Sequence, residues 1–159
     1  MCGIAGGIGL PNWDENKILS FIAHRGPDSK GFYKDDHLFL GHTRLSIQDL
    51  SENGNQPMFS ADGRYVIIFN GEIYNHLEIR EQIKNEFYFK STSDTETVLY
   101  AFIKYGPVCL KKLNGIFALA IYDIQQKEIF IARDQFGVKP LYLYNDRTKF
   151  LFSSELKTF

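Results

Sequence analysis

Apolar positions gather into short β-like runs separated by polar turn clusters, and three stretches between them read as helices. The first run, CGIAGGIG (2–9), reads as a strand with little side-chain bulk, so something must approach its backbone closely. WDENKILSFIAH (13–24) reads as a helix with Ile18, Leu19 and Ile22 on one face and Asp14 as its cap. RGPDSKG (25–31) has the composition of a loop, and HLFLGHTRLSI (37–47) reads as extended. ENGNQP (52–57) is a turn cluster, and ADGR (61–64) a hairpin-type turn. YVIIFNGEIYN (65–75) is a strong β run broken at Asn70-Gly71.

NHLEIREQIKNEF (75–87) and DTETVLYAFIKY (94–105) read as helices opened by capping-box patterns, Asn75 with Glu78 and Ser93 with Glu96. Gly106 and Pro107 end the second. GPVCLKKL (106–113) is helix-like and apolar, with Cys109 as a small core residue. GIFALAIYDI, EIFIARD, PLYLYN and KFLFSSE then form four β runs joined by short polar turns, and a helix begins in the closing SSELKTF.

Several of these strands are apolar on both faces. In IFALAIYDI one face carries Phe117, Leu119 and Ile121, and the other Ala118, Ala120 and Tyr122. A strand with two dry faces is covered on both sides, whereas hairpin-short connections imply antiparallel pairing. Two antiparallel sheets packed face to face, with helices outside, satisfy both conditions. The expected fold is therefore α+β, a four-layer αββα sandwich.

Composition narrows the classes of function. The 159 residues suit one domain with a real core. Lys and Arg number 18 against 19 Asp and Glu, which leaves no basic footprint for nucleic acid or an anionic membrane. No apolar stretch approaches a membrane span, and no basic start precedes a long apolar segment. The two cysteines, Cys2 and Cys109, form neither a C-x-x-C nor a cluster with His at metal spacing, which points to a reducing cytoplasm.

Cys2 is the residue with most chemistry to offer. As a filler, a lipid anchor, a redox thiol or a nucleophile it would give four different proteins; the anchor reading fails for want of an upstream signal. Cysteine is small enough for Met1 to be removed, and the mature chain would then carry a thiol beside its own α-amine. An α-amine titrates at about 7.7–8.0, so near neutrality it accepts a proton and no histidine is required. The glycines Gly3, Gly6, Gly7 and Gly9 do not make a dinucleotide loop, since G-x-G-x-x-G and a following βαβ unit are absent. A regulatory or assembly domain without turnover is the non-enzyme alternative.

Acyl transfer needs donors for an oxyanion, and Asn70 with Gly71 offers a side-chain NH₂ and a backbone N–H at a tight turn, although Asn-Gly is also an ordinary hairpin pair. An amino-acid substrate needs charge partners. Arg44 is suited to a carboxylate; Asp94 at a helix start and Glu72 beside the turn are suited to an ammonium.

The motifs MCGIAG, HRGPDSKG, GHTRLSI, FNGEIYNH, SDTETVLYAF, NGIFALAIYD, RDQFGVKPLY and SSELK follow in order over nearly the whole chain. Together they resemble the glutaminase domain of class II glutamine amidotransferases, N-terminal nucleophile hydrolases, and HRGPDS and NGEIYNH resemble the asparagine synthetase type. The resemblance implies the αββα fold for residues 2–159. It implies Cys2 as nucleophile, Asn70 and Gly71 as oxyanion hole, Arg44 on the glutamine carboxylate, and Asp94 with Glu72 on its ammonium. Backbone groups of Leu45, Ser46, Ile47 and Gln48 would line the pocket, and the slim first strand would leave room for glutamine at the new N-terminus. It further implies that ammonia passes to a C-terminal synthetase domain absent from this chain. That domain would use ATP and Mg²⁺, with no cofactor or metal in this piece. Aspartate is the default acceptor, another acceptor the alternative, and a homodimer is possible.

Overall fold

The computed structural model describes residues 1–9 and 14–159. Trp13, placed above in the first helix, lies outside the described residues. The strands are β1 (Gly3–Ile8), β2 (Ser29–Lys34), β3 (Leu38–Arg44), β4 (Met58–Phe59), β5 (Tyr65–Ile73), β6 (Gly115–Asp123), β7 (Glu128–Arg133), β8 (Tyr142–Asn145) and β9 (Phe150–Ser153). The α-helices are α1 (Glu15–Ile22), α2 (His76–Ile83) and α3 (Asp94–Tyr105). One sheet runs β2-β3-β1-β9-β8 and the other β4-β5-β6-β7, with every ladder antiparallel.

Three apolar layers make this the expected four-layer αββα sandwich. Between the sheets lie Ile4, Leu38, Leu40, Val66, Ile68, Ala118, Ala120, Tyr122 and Phe152. The other face of the second sheet, including Phe69, Phe117, Leu119 and Ile121, packs against Ile79 of α2 and Val98 and Leu99 of α3. On the outer face of the first sheet, Leu19 and Ile22 of α1 cover Ala5. The alternating faces read from IFALAIYDI are thus the two dry faces of β6.

Local chemistry departs from the sequence reading at several places. Asp14 caps α1 as expected, accepting from Lys17 N. Neither capping box forms. Asn75 instead spends its side chain across the fold, donating to Lys112 O and accepting from Asn114 N. Glu96 reaches back to accept from Lys90 N and Ser91 N, and so holds the approach to α3. The loop predicted over 25–31 ends early, because Ser29, Lys30 and Gly31 pair with β3. Residues 106–112 and 156–158 form 3-10 turns, with Cys109 buried in the first.

The predicted break at Asn70-Gly71 is also absent. β5 runs straight through, with Asn70 opposite Ala118 and Gly71 opposite Phe117. Gly71 serves close approach instead of a turn: a Cβ there would stand 2.4 Å from Ile116 O and 2.7 Å from Phe117 Cα.

The slim first strand is explained within its own sheet, not by room for a ligand. A Cβ on Gly6 would stand 2.5 Å from the Phe152 ring and 2.6 Å from Phe39 O. Gly6→Ala is therefore expected to overpack the sheet at a cost of about 1–3 kcal/mol, lowering Tm by several degrees. Thermal unfolding of the variant checks this, and an unchanged Tm refutes it.

Candidate active site

β1 begins one residue after Cys2, so the first sheet delivers its thiol to one end of the sandwich. Cys2 Sγ lies between the backbone groups of Leu45, just past β3: Leu45 N–H donates to it at 3.4 Å, and Leu45 O lies 3.6 Å away. Arg25 fixes the backbone at the same point, its Nε donating to Cys2 O at 3.0 Å while Nη1 pairs with Glu155 at 2.8 Å.

The cleft in front of Cys2 is lined by Met1, Arg44, Leu45, Ile47, Gln48, Asn70, Gly71, Glu72 and Asp94, among others. Every site residue named from sequence is therefore brought together except Ser46. Ser46 turns its N–H away to Asp28 Oδ2 at 2.7 Å and does not line the cleft.

Asn70 sits on β5 in the cleft wall, 1% exposed, and its Nδ2 is buried with no hydrogen-bond partner among the described residues. A buried donor left without an acceptor is costly, so its survival in the cleft wall marks a place where an acceptor belongs.

Arg44 is 5% exposed, and its fork is directed into its own loop. Nη1 donates to Ser51 O and Asn55 Oδ1, both at 2.9 Å, and Nη2 to Gln48 O at 3.3 Å and to Asp49 O. All four acceptors are neutral oxygens. The arginine thus shapes residues 48–55, and among the described residues no ion pair neutralises the positive charge it brings to the cleft.

Asp49 carries that order onward. Its Oδ1 accepts from Ser51 N and Ser51 Oγ, and its Oδ2 from Ser91 Oγ and Thr92 N. The Ser51 hydroxyl first, then these other donors, hold its carboxyl far below the ordinary range. Arg80 of α2 clamps the same segment by donating to Ser91 O and Ser93 O, both at 2.7 Å.

That segment leads into Asp94, the first residue of α3. Asp94 Oδ2 accepts from Ile73 N at 2.9 Å, and Asp94 N donates to Gln48 Oε1 at 3.3 Å. Burial pushes its carboxyl up to about 6 against these backbone bonds, with the nearby Glu72 charge adding to the rise. A buried carboxylate that ionises reluctantly is well suited to a cationic partner, which would offset the burial.

Sequence reasoning missed Arg25, Gln56 and Lys139. Gln56 ties the two walls together, accepting from Phe69 N at 2.6 Å and donating to Thr95 Oγ1 at 3.2 Å. Its only signal was its place before a proline in a turn cluster. Lys139 lines the cleft 8% exposed, its Nζ 3.3 Å from Met1 Sδ. Among the described residues no three His, Cys, Asp or Glu side chains form a metal-holding group, and no helix is long and apolar enough to cross a membrane.

Residues 1–159 match the family model described as a glutamine amidotransferase domain. The chain is 41% identical over 179 aligned positions to a putative glutamine-hydrolysing asparagine synthetase 2 of Methanocaldococcus jannaschii, covering 99% of this chain and 34% of that protein. It is 40% identical to the glutamine-hydrolysing asparagine synthetase 1 of Bacillus subtilis, covering 99% of this chain and 26% of that protein. An amidase of Gibberella zeae is 36% identical, matching 100% of this chain and 26% of its own length. The chain thus spans about a quarter to a third of the length of these relatives. Among solved structures, a glutamine phosphoribosylpyrophosphate amidotransferase of B. subtilis shares the fold with a TM-score of 0.83 at 20% identity, over 99% of this chain and 43% of its own.

The raised Asp94 carboxyl has a consequence for stability. A folded-state value near 6 against about 3.9 unfolded means that the folded protein binds the extra proton, so stability falls as pH rises from about 4 to 6. Asp94→Asn removes that loss. It should unfold at higher temperature than the wild type at pH 7.5, by on the order of 2 kcal/mol, and at the same temperature near pH 4. Thermal unfolding at the two pH values checks both halves.

Proposed function

The chain belongs to the glutamine amidotransferase domain family, and from that premise we propose that it hydrolyses L-glutamine to L-glutamate and ammonia through a thioester on Cys2. The αββα sandwich is the N-terminal nucleophile hydrolase fold of such amidotransferases. The observation that carries the activity is the convergence of Cys2, the unpartnered Asn70 donor and the buried Asp94 carboxyl in one cleft.

The mechanism starts with removal of Met1, which is 56% exposed and borders the cleft. The freed Cys2 α-amine takes the thiol proton, and Sγ attacks the glutamine side-chain carbonyl. The oxyanion forms at Asn70 Nδ2 and the Gly71 backbone. As the tetrahedral carbon collapses, the C–N bond breaks. The α-ammonium of Cys2 returns its proton to the leaving nitrogen, and ammonia departs. Water, its proton taken by the same amine, attacks the thioester carbonyl and releases glutamate with the thiol restored.

Asp94, assisted by Glu72, holds the substrate ammonium, and the unneutralised charge of Arg44 attracts its carboxylate. The backbones of Leu45, Ile47 and Gln48 shape the pocket between these clamps. This chemistry asks for no metal or cofactor from this domain. In the full-length protein, a C-terminal ATP- and Mg²⁺-dependent synthetase domain receives the ammonia, in the cytoplasm, with aspartate as acceptor to give asparagine. The similarity to an amidase supports a second reading, in which the same glutaminase chemistry serves a different acceptor.

Intact mass should show Met1 absent, and a glutamine-mimicking diazoketone should add covalently at Cys2. Adduct on Cys109, whose thiol burial pushes up to about 11, or no adduct on an active preparation, overturns the mechanism. Cys2→Ala should abolish turnover while still binding glutamine in calorimetry, and Asn70→Ala should lower kcat by roughly 10²–10³. Arg44→Ala should raise KM for glutamine well above any change in kcat; an unchanged KM removes it from the carboxylate.

A further inference from the structure

Lys139 is a charged group of the cleft that the chemistry above leaves unused. It lies in the loop after β7, whose path is set by one carboxylate. Asp134 accepts from Phe117 N, Phe136 N, Val138 N and Lys139 N at 3.0–3.2 Å. Those four N–H groups outweigh the opposing effect of burial and hold the Asp134 carboxyl below its usual range. The loop delivers Lys139 to the cleft wall almost fully buried, yet among the described residues its ammonium makes no ion pair. Its recorded partner is a thioether, Met1 Sδ, a weak acceptor for a buried cation. Removal of Met1 takes that partner away and leaves the ammonium in the same cleft as the new N-terminus, on the side that the Met1 side chain had occupied.

We propose that Lys139 is a positioning residue for the N-terminal nucleophile: its fixed positive charge, standing where the Met1 side chain ends, biases the Cys2 α-amine of the mature chain toward the neutral form that accepts a proton. The inference rests on Cys2 being that nucleophile. A like charge in the same cleft disfavours the protonated amine, and a base is useful only in its neutral form.

The other charges around this end of the cleft do not supply the same bias. Arg25 touches Cys2 O, but Glu155 pairs with it at 2.8 Å. Arg44 also carries its charge to the cleft, but its guanidinium is held by the carbonyls of Gln48, Asp49 and Ser51 and the Asn55 amide, and it is assigned above to the substrate carboxylate. Asp94 and Glu72 line the wall formed by α3 and β5, and as anions they pull the amine the other way. Asp134 meets backbone donors of its own loop and of β6. Lys139 is the cation that offsets the acidic wall from the side of Met1.

The test reads the amine and the reaction separately, using the Met1-free full-length protein. In a Cys2→Ala background, where no thiol interferes, the pH dependence of N-terminal acetylation by acetic anhydride reports the α-amine alone. K139M should move its midpoint upward by about half to one pH unit. In the Cys2 enzyme, K139M should lower kcat/KM for glutamine about three- to tenfold at pH 6.5 and leave it near wild type at pH 9, and K139R should restore the wild-type profile. An acetylation midpoint unchanged by K139M overturns the proposal. A KM increase that is uniform across pH also overturns it and makes Lys139 a substrate clamp. If K139M folds poorly, K139Q is held to the same criteria. Failure of the diazoketone to label wild-type Cys2 would instead remove the nucleophile assignment itself.

Discussion

The separation between the two sheets governs the cleft, because its thiol and its unpartnered amide donor are carried by different sheets. Cys2 immediately precedes β1 in one and Asn70 lies on β5 in the other, so their distance is set by the apolar layer between. Ile4, Leu40, Ile68 and Phe152 fill that layer, and burying each such side chain is worth about 1.5–3 kcal/mol. One polar bond crosses it near the site, His42 Nε2 to Phe69 O at 3.2 Å, next to Asn70. Burial drives the His42 imidazole down to about 3, so this bond is made by a neutral ring and does not titrate near neutrality.

The cleft walls depend on a chain of polar anchors built mostly on backbone. Arg44 gathers the carbonyls of Gln48, Asp49 and Ser51, Asp49 joins that loop to residues 91–92, and Arg80 grips Ser91 and Ser93 from α2. Two arginines and one aspartate thereby position Asp94 without touching it. Gln56 closes the circuit between β5 and the start of α3. These bonds bring loops distant in sequence into one wall, so a change at Arg80 would be felt at Asp94.

The sandwich was legible because its signals are local. The double-faced apolar pattern of residues 116–124 required cover on both sides, and the short turns required antiparallel pairing. The members of the site were legible as residue types, and nine of the ten named line one cleft or carry its thiol. Their settings were less so. Asn-Gly reads as a turn because both residues favour one, but at Asn70-Gly71 cross-strand packing against Ile116 and Phe117 decides the conformation. The capping boxes failed for the same kind of reason: Asn75 and Glu96 found better partners elsewhere in the chain. Lys139 and Arg25 lie in two of the recognised motifs, but nothing in the sequence assigned them a role, since their roles come from where loops arrive.

The Asn70 amide, with no acceptor for its Nδ2 among the described residues, makes the cleft wall discriminate between neutral and charged acceptors. A buried amide donor with no acceptor among the described residues is costly to a fold, and an acceptor seated against Asn70 Nδ2 would offset that cost. Occupation by an acceptor reverses that loss, and most fully when the acceptor carries a whole negative charge, since charge-assisted bonds are the stronger ones. The site is therefore selective in time as well as in chemistry. Under the proposed reaction it would interact modestly with a resting amide carbonyl and most strongly with the short-lived species in which that oxygen has become an anion.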